Sequence, residues 1–177
     1  MNHSTLPMAA LCAGVMLFTI NCFATPSPQP THNNYGLVHL LDDKGVEKCI
    51  LPVPETSQTF NFSSGNEYCE NDSISSFWLE NVPSATLIQF YDENVCSTLQ
   101  TRENFYFQLK TTKNPTDWST LNPAPITIDS LRSINVGGLI SKRNTRMEDK
   151  FIGSYYDSKN LNERLSCVYI ERSQPVN

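Results

Sequence analysis

The chain alternates between short apolar runs and clusters of turn-forming residues. Residues 37–41 (LVHLL) and 46–53 (VEKCILPV) are separated by Asp-Asp-Lys-Gly at 42–45, a turn signal that predicts a β-hairpin. Residues 104–110 (NFYFQLK) place Phe105, Phe107 and Leu109 on one face at a period of two. This alternation predicts a half-buried strand.

Similar short runs continue to the C-terminus, at residues 59–62, 76–79, 86–91, 126–136, 147–152 and 166–171. Residues 113–125 form a long polar stretch with three prolines around Trp118, which predicts a loop. The best helical candidate, residues 158–165, is short and polar. The pattern therefore predicts an all-β sandwich or barrel.

The N-terminal residues have the pattern of a signal peptide. Residues 8–20 (MAALCAGVMLFTI) are too short to span a bilayer as a helix, but they fit the apolar region of a secretory signal. We predict a signal peptide at residues 1–24, cleaved after Ala24, and a proline-rich tether at residues 25–34. The alternative is an uncleaved membrane anchor, because residues 1–7 contain no Lys or Arg.

Composition narrows the class of protein. Of 177 residues, 39% are hydrophobic and 18% are charged, and the formal net charge is -5. These values fit one globular domain, with no stable membrane insertion expected after signal cleavage. An acidic chain is also a poor partner for nucleic acid, since that affinity comes from Lys and Arg on phosphates.

Four cysteines remain after residue 24, namely Cys49, Cys69, Cys96 and Cys167. An even number in an exported chain predicts two disulfides, and their spacing does not match a common zinc module. Of the three possible connectivities, we favour Cys49 with Cys69 and Cys96 with Cys167. The predicted compartment is therefore secreted or periplasmic.

Residues 71–76 read Asn-Asp-Ser-Ile-Ser-Ser, a compact group of the hard oxygen ligands that calcium prefers. The segment resembles the signature of the βγ-crystallin family, [N/D]-[N/D]-x-x-[S/T]-Ser, which lies at the turn into a Greek-key strand. A plain Asx turn before a strand has the same composition. The resemblance implies a double Greek key over residues 35–136, with residues 137–177 as a C-terminal extension packed on the same domain.

A second, degenerate copy of the signature is predicted at residues 128–133, where Ile128 and Arg132 depart from the pattern. In the family, the two motifs build the sites together. The resemblance thus implies low-affinity calcium binding by Asn71, Asp72, Ser75, Ser76, Asp129 and Ser133.

The function expected from this resemblance is that of an exported, non-enzymatic binding or structural protein. One alternative is an interaction protein that inhibits an exported enzyme, or acts as a toxin or virulence-type factor, through the loop 114–125 and an extracytoplasmic partner. A third hypothesis is a secreted hydrolase that uses Asp92, Glu93 and Asp129. We expect His39 to be a core or edge histidine and Tyr68, Phe77, Trp78 and Trp118 to pack in the core.

Overall fold

The computed structural model describes residues 35–63 and 68–173. The predicted signal peptide and tether, residues 1–24 and 25–34, lie outside this range. The described chain forms two antiparallel sheets, which confirms the all-β prediction. Its strands are β1 (Leu37–Leu41), β2 (Glu47–Pro52), β3 (Ser57–Asn61), β4 (Ser76–Glu80), β5 (Leu87–Tyr91), β6 (Phe105–Thr111), β7 (Ile126–Thr127), β8 (Leu139–Ile140), β9 (Thr145–Ile152) and β10 (Cys167–Glu171).

Local sequence explains the first hairpin and the strongest strand. The Asp42 carboxylate accepts hydrogen bonds from the amides of Lys44 and Val46, so it closes the turn between β1 and β2. In β6, Phe105, Phe107 and Leu109 all face the core, as the alternation predicts. The opposite face is less exposed than predicted, because Tyr106 packs against Tyr91 on that side of the sheet.

The strand order shows an exchange between the sheets. The four-stranded sheet has the order β2-β1-β4-β7, and the six-stranded sheet has the order β3-β10-β5-β6-β9-β8. Strands β1, β2 and β4 are therefore neighbours, whereas β3 lies in the opposite sheet. Strands β5, β6 and β10 repeat this arrangement, with β7 in the opposite sheet. The hairpin β8–β9 is an addition to the second group, and it widens the six-stranded sheet beyond β6.

The chain beyond residue 136 belongs to the sheet itself. Strand β10 lies between β3 and β5 and pairs with both along its full length. The division into residues 35–136 and a packed extension therefore does not describe the fold. Strands β8 and β9, which lie between β7 and β10 in the chain, extend the same sheet beyond β6.

The core lies between the two sheets and includes part of the predicted loop. Phe77 and Trp118 are fully buried, as expected, whereas Trp78 is half-buried and Tyr68 is exposed. The Trp118 amide donates to the Leu79 carbonyl oxygen at 2.8 Å, and Thr116 forms a bridge with Val82. Residues 114–125 therefore do not form a free interaction loop, because their central residues are anchored in the core.

Two disulfides with the predicted connectivity fasten the sheets. Cys49–Cys69 joins β2 to the chain before β4, and Cys96–Cys167 joins the chain after β5 to the first residue of β10. The Cα–Cα distances are 5.4 and 5.3 Å, within the ordinary range. Two such bonds fit an oxidising extracytoplasmic compartment. Among the described residues, no helix is long and apolar enough to cross a membrane.

Candidate cation-binding site

The segment 71–76 is a tight turn that leads into β4. Asp72 has a positive φ of 52°, which the short side chain of Asp tolerates. Ile74 is fully buried, and the Ser75 amide donates to the Leu41 carbonyl oxygen at the end of β1, at 2.8 Å. The buried isoleucine and this hydrogen bond fix the orientation of Ser75 against the first hairpin.

A second segment with the same geometry leads into β10, at residues 162–167. Glu163 has a φ of 58°, Leu165 is fully buried, and the Ser166 amide donates to the Tyr91 carbonyl oxygen at 2.9 Å. Tyr91 ends β5, as Leu41 ends β1.

The two segments also bind each other reciprocally. The Asp72 amide donates to the Leu165 carbonyl oxygen at 3.3 Å, and the Glu163 amide donates to the Ile74 carbonyl oxygen at 2.8 Å. Equivalent positions thus exchange equivalent hydrogen bonds. An approximate two-fold axis relates the turns.

The sequence contained a signal for this second segment. Asn162-Glu163-x-x-Ser166 has the same spacing as Asn71-Asp72-x-x-Ser75. The signal is weak because Cys167 stands where the signature has its final serine, and because residues 158–165 are also the best helical candidate.

Residues 128–133, the predicted second copy, have a different structure. Asp129–Ser133 is a short 3₁₀ helix. The Asp129 carboxylate accepts from the Leu161 amide at 3.0 Å and from the Arg132 guanidinium at 3.2 Å. Ser133 donates its hydroxyl to the Ser130 carbonyl oxygen. The side chains of Asp129 and Ser133 therefore already have protein partners, and neither residue lines the cleft described below.

The 3₁₀ helix holds the chain that carries the second turn. The Arg132 guanidinium donates to the carbonyl oxygens of Tyr156 and Lys159, at 3.1 and 2.7 Å. The Asp129 amide donates to the Asn162 side-chain oxygen at 3.1 Å. Arg132, which departs from the signature at a predicted ligand position, instead braces residues 156–162.

A cleft of about 470 Å³ lies beside the paired turns. The oxygen-bearing side chains that line it come from three parts of the chain: Asp43, Ser75, Asn160, Asn162 and Glu163. The Ser75 hydroxyl is buried and has no hydrogen-bond partner in the structure. Lys159 and Arg164 also line the cleft, and the Lys159 ammonium lies 3.1 Å from the centroid of the Tyr155 ring.

The predicted ligands of the first signature are divided between two places. Ser75 is one of the residues that line the cleft, whereas the Asp72 carboxylate accepts a long hydrogen bond from Ser166 at 3.4 Å. Asn71 is exposed, and Ser76 is a buried residue at the start of β4. Within residues 35–63 and 68–173, no group of three or more His, Cys, Asp or Glu is arranged to hold a metal ion. A cation here would therefore need serine, amide or backbone oxygens as well.

The carboxylates considered for hydrolysis have separate partners. Asp92 accepts from the Phe105 amide at 2.9 Å and from the Tyr156 hydroxyl at 3.1 Å. Burial raises the pKa of Asp92 to about 6. Burial, followed by the nearby Asp92 charge, raises the pKa of Tyr156. Glu93 contacts the Asn104 amide at 3.4 Å, and Asp129 is paired with Arg132.

Asp92→Asn is expected to stabilise the protein above pH 7 and to have little effect below pH 4. The raised pKa means that ionised Asp92 destabilises the folded state, and this penalty develops as the pH rises from about 4 to about 6. Asparagine can still accept from Phe105 and can donate to Tyr156. Allowing for partial solvent screening, the gain is about 1 to 2 kcal/mol in urea unfolding at pH 7.5. An equal gain at pH 4 and pH 7.5 would contradict this explanation.

No protein-family model, curated protein or solved structure matches the chain. Interpretation of the site therefore rests on its geometry.

Proposed function

We propose that this is an exported, non-enzymatic structural or binding protein with a βγ-crystallin-like double Greek key that binds calcium with low affinity. The observation that carries the proposal is the Ser75 hydroxyl, which is buried and unpartnered and belongs to a residue that lines a cleft together with carboxylate and amide side chains. A buried polar group without a partner costs free energy unless a ligand or water satisfies it.

The strand exchange supports the Greek-key part of the proposal. Two successive groups of strands each place their third strand in the opposite sheet, and each group enters its last strand through an Asn-acid-x-x-Ser turn. A double Greek key predicts this repetition. The reciprocal hydrogen bonds between the two turns support this proposal, because the resemblance implies motifs that build their sites together.

The chemistry of the cleft supports calcium among the biological cations. Its candidate ligands are the carboxylates of Asp43 and Glu163 with the oxygens of Ser75 and Asn162, all of them hard donors. Asn162 already accepts one hydrogen bond from the Asp129 amide, which fixes its side chain. Lys159 and Arg164 reduce the attraction for a cation, so the affinity belongs in the low range of extracellular sites, with Kd of about 0.1 to 1 mM.

Export is supported by the two disulfides together with the signal-like N-terminal sequence. The same bonds and the shared core make a rigid scaffold. A structural or binding role outside the cytoplasm fits these properties.

Thermal and urea unfolding with calcium and with a chelator tests the proposal. At 10 mM calcium and the stated Kd, the wild-type protein gains about 1.4 to 2.7 kcal/mol. Ser75→Ala and Glu163→Gln are expected to reduce this gain. Ser133→Ala is the matched control, because that exposed serine lies on the 3₁₀ helix away from the cleft, and it should respond as the wild type does.

The absence of any calcium-dependent shift in the wild type would refute calcium binding. Loss of the response in Ser133→Ala, with retention in Ser75→Ala, would instead favour the 128–133 segment as the second motif.

A further inference from the structure

His39 lies on the outer face of the four-stranded sheet, between carboxylates from both neighbouring strands. Its Nδ1 is 2.5 Å from Glu47 of β2, and its Nε2 is 2.9 Å from Glu80 of β4. The imidazole stacks on Trp78 with ring centroids 3.7 Å apart and is only 5% exposed. His39 is therefore buried, as the sequence predicts, and both of its ring nitrogens have carboxylate partners.

The hydrogen bonding of this cluster requires a proton. A neutral imidazole has one N–H donor and one acceptor nitrogen, and an ionised carboxylate only accepts. Both contacts can be hydrogen bonds at the same time only if His39 is an imidazolium or if one carboxyl group is protonated. The stacked indole favours the cationic imidazolium, because the face of the ring attracts positive charge.

We infer that His39, Glu47 and Glu80 form a proton-dependent clamp that holds the edge strand β2 and strand β4 to β1. The three residues are not directly opposite one another, because Glu47 pairs with Leu41 and Glu80 with Leu37. The imidazolium bridges these diagonal positions, so one proton links three strands. This inference does not rest on the proposed calcium binding.

The two strands that flank His39 carry few charged residues. Apart from Glu47 and Glu80, the only charged residue of β2 and β4 is Lys48, whose ammonium lies 3.5 Å from Glu70. When the cluster loses its proton, one imidazole nitrogen has no hydrogen left to donate, and that nitrogen and its carboxylate oxygen are then both acceptors. The clamp then stops contributing to the attachment of β2, and stability falls with rising pH.

The test uses nitrogen NMR of the His39 ring and hydrogen-exchange protection factors of the β2 amides, both recorded from pH 5 to pH 9 on the oxidised protein. In the wild type, we expect both ring nitrogens to be protonated while the clamp is closed. Loss of one ring proton should coincide with a fall of about tenfold in β2 protection.

The Glu80→Gln variant tests whether the shared proton, and not the presence of the three side chains, causes the pH response. In this variant, a neutral His39 can donate to Glu47 and accept from the introduced amide, so β2 protection should no longer change with pH. Glu171→Gln is the matched control, because Glu171 ends β10 as Glu80 ends β4, and it should keep the wild-type response.

Three outcomes would overturn the clamp. The first is a neutral His39 throughout the pH range, and the second is a His39 titration without any change in β2 protection. The third is an unchanged pH response in a folded Glu80→Gln variant. If that variant does not fold, the two wild-type measurements still decide the question.

Discussion

Trp118→Ala is expected to lower the free energy of unfolding by about 3 to 5 kcal/mol, the range for loss of a fully buried aromatic residue. The indole packs on Phe77, with ring centroids 5.4 Å apart, and its N–H donates to the Arg143 carbonyl oxygen at 2.7 Å. Alanine would leave a cavity in the core and would remove one of the two hydrogen bonds that the Arg143 carbonyl oxygen accepts, the other coming from the Thr145 hydroxyl. Urea unfolding at pH 7 measures the effect.

Thr120→Ala is the matched control for Trp118, because Thr120 is an exposed residue of the same loop. Its effect should stay within about 0.5 kcal/mol. A small effect of both substitutions would mean that residues 113–125, Trp118 included, contribute little to the core, which would contradict the structure. A large effect of Trp118→Ala alone would show that the loop is anchored in the core through Trp118.

Removal of the Cys96–Cys167 disulfide by a double alanine substitution is expected to destabilise the protein by about 4 kcal/mol. The bond spans 71 residues, and the loop-entropy model gives its stabilisation from the length of chain that it closes. The structure adds a specific reason for a large effect. The bond fastens the start of β10, which holds β3 and β5 together in the six-stranded sheet. Urea unfolding of the oxidised proteins gives the difference.

Removal of the Cys49–Cys69 disulfide provides the comparison. Its separation is 20 residues, and the same model gives about 3 kcal/mol. The informative result is which of the two removals lowers the free energy of unfolding more. A larger loss from Cys49–Cys69 would contradict the view that closure of β10 into its sheet is the more important constraint.

The paired turns explain why one signature cannot define the candidate site. The Asn71–Ser76 turn contributes Ser75 to the cleft, but most of the other oxygens come from residues 160–163, and Asp43 comes from the first hairpin. Asp72, in contrast, contacts Ser166 of the other turn. The candidate site therefore depends on residues from both turns and from the first hairpin.

Two features that depend on residues close together in the sequence were predicted correctly, whereas one that depends on distant parts of the chain was not. The hairpin at Asp42 and the inward face of β6 depend on neighbouring residues, so the pattern alone identified them. The position of the second turn depends on β10, which pairs with β3 and β5 far earlier in the chain. The sequence predicts the second copy of the signature at residues 128–133, whereas the structure places the partner turn at residues 162–167. The inserted hairpin β8–β9 also lengthens the chain between the two turns, so the sequence does not show that they are related.

The sequence by itself determined the all-β class, the short strands and turns, and a cysteine set for which the correct pairing was favoured. The tertiary structure decided that the middle of the loop 113–125 is hydrogen-bonded to β4 and its neighbour, that residues after 136 complete the six-stranded sheet, and that Ser75, Asn162 and Glu163 line one cleft. The physical reason is that alternation and turn chemistry act between neighbours, whereas burial and side-chain convergence depend on which strands exchange between the two sheets.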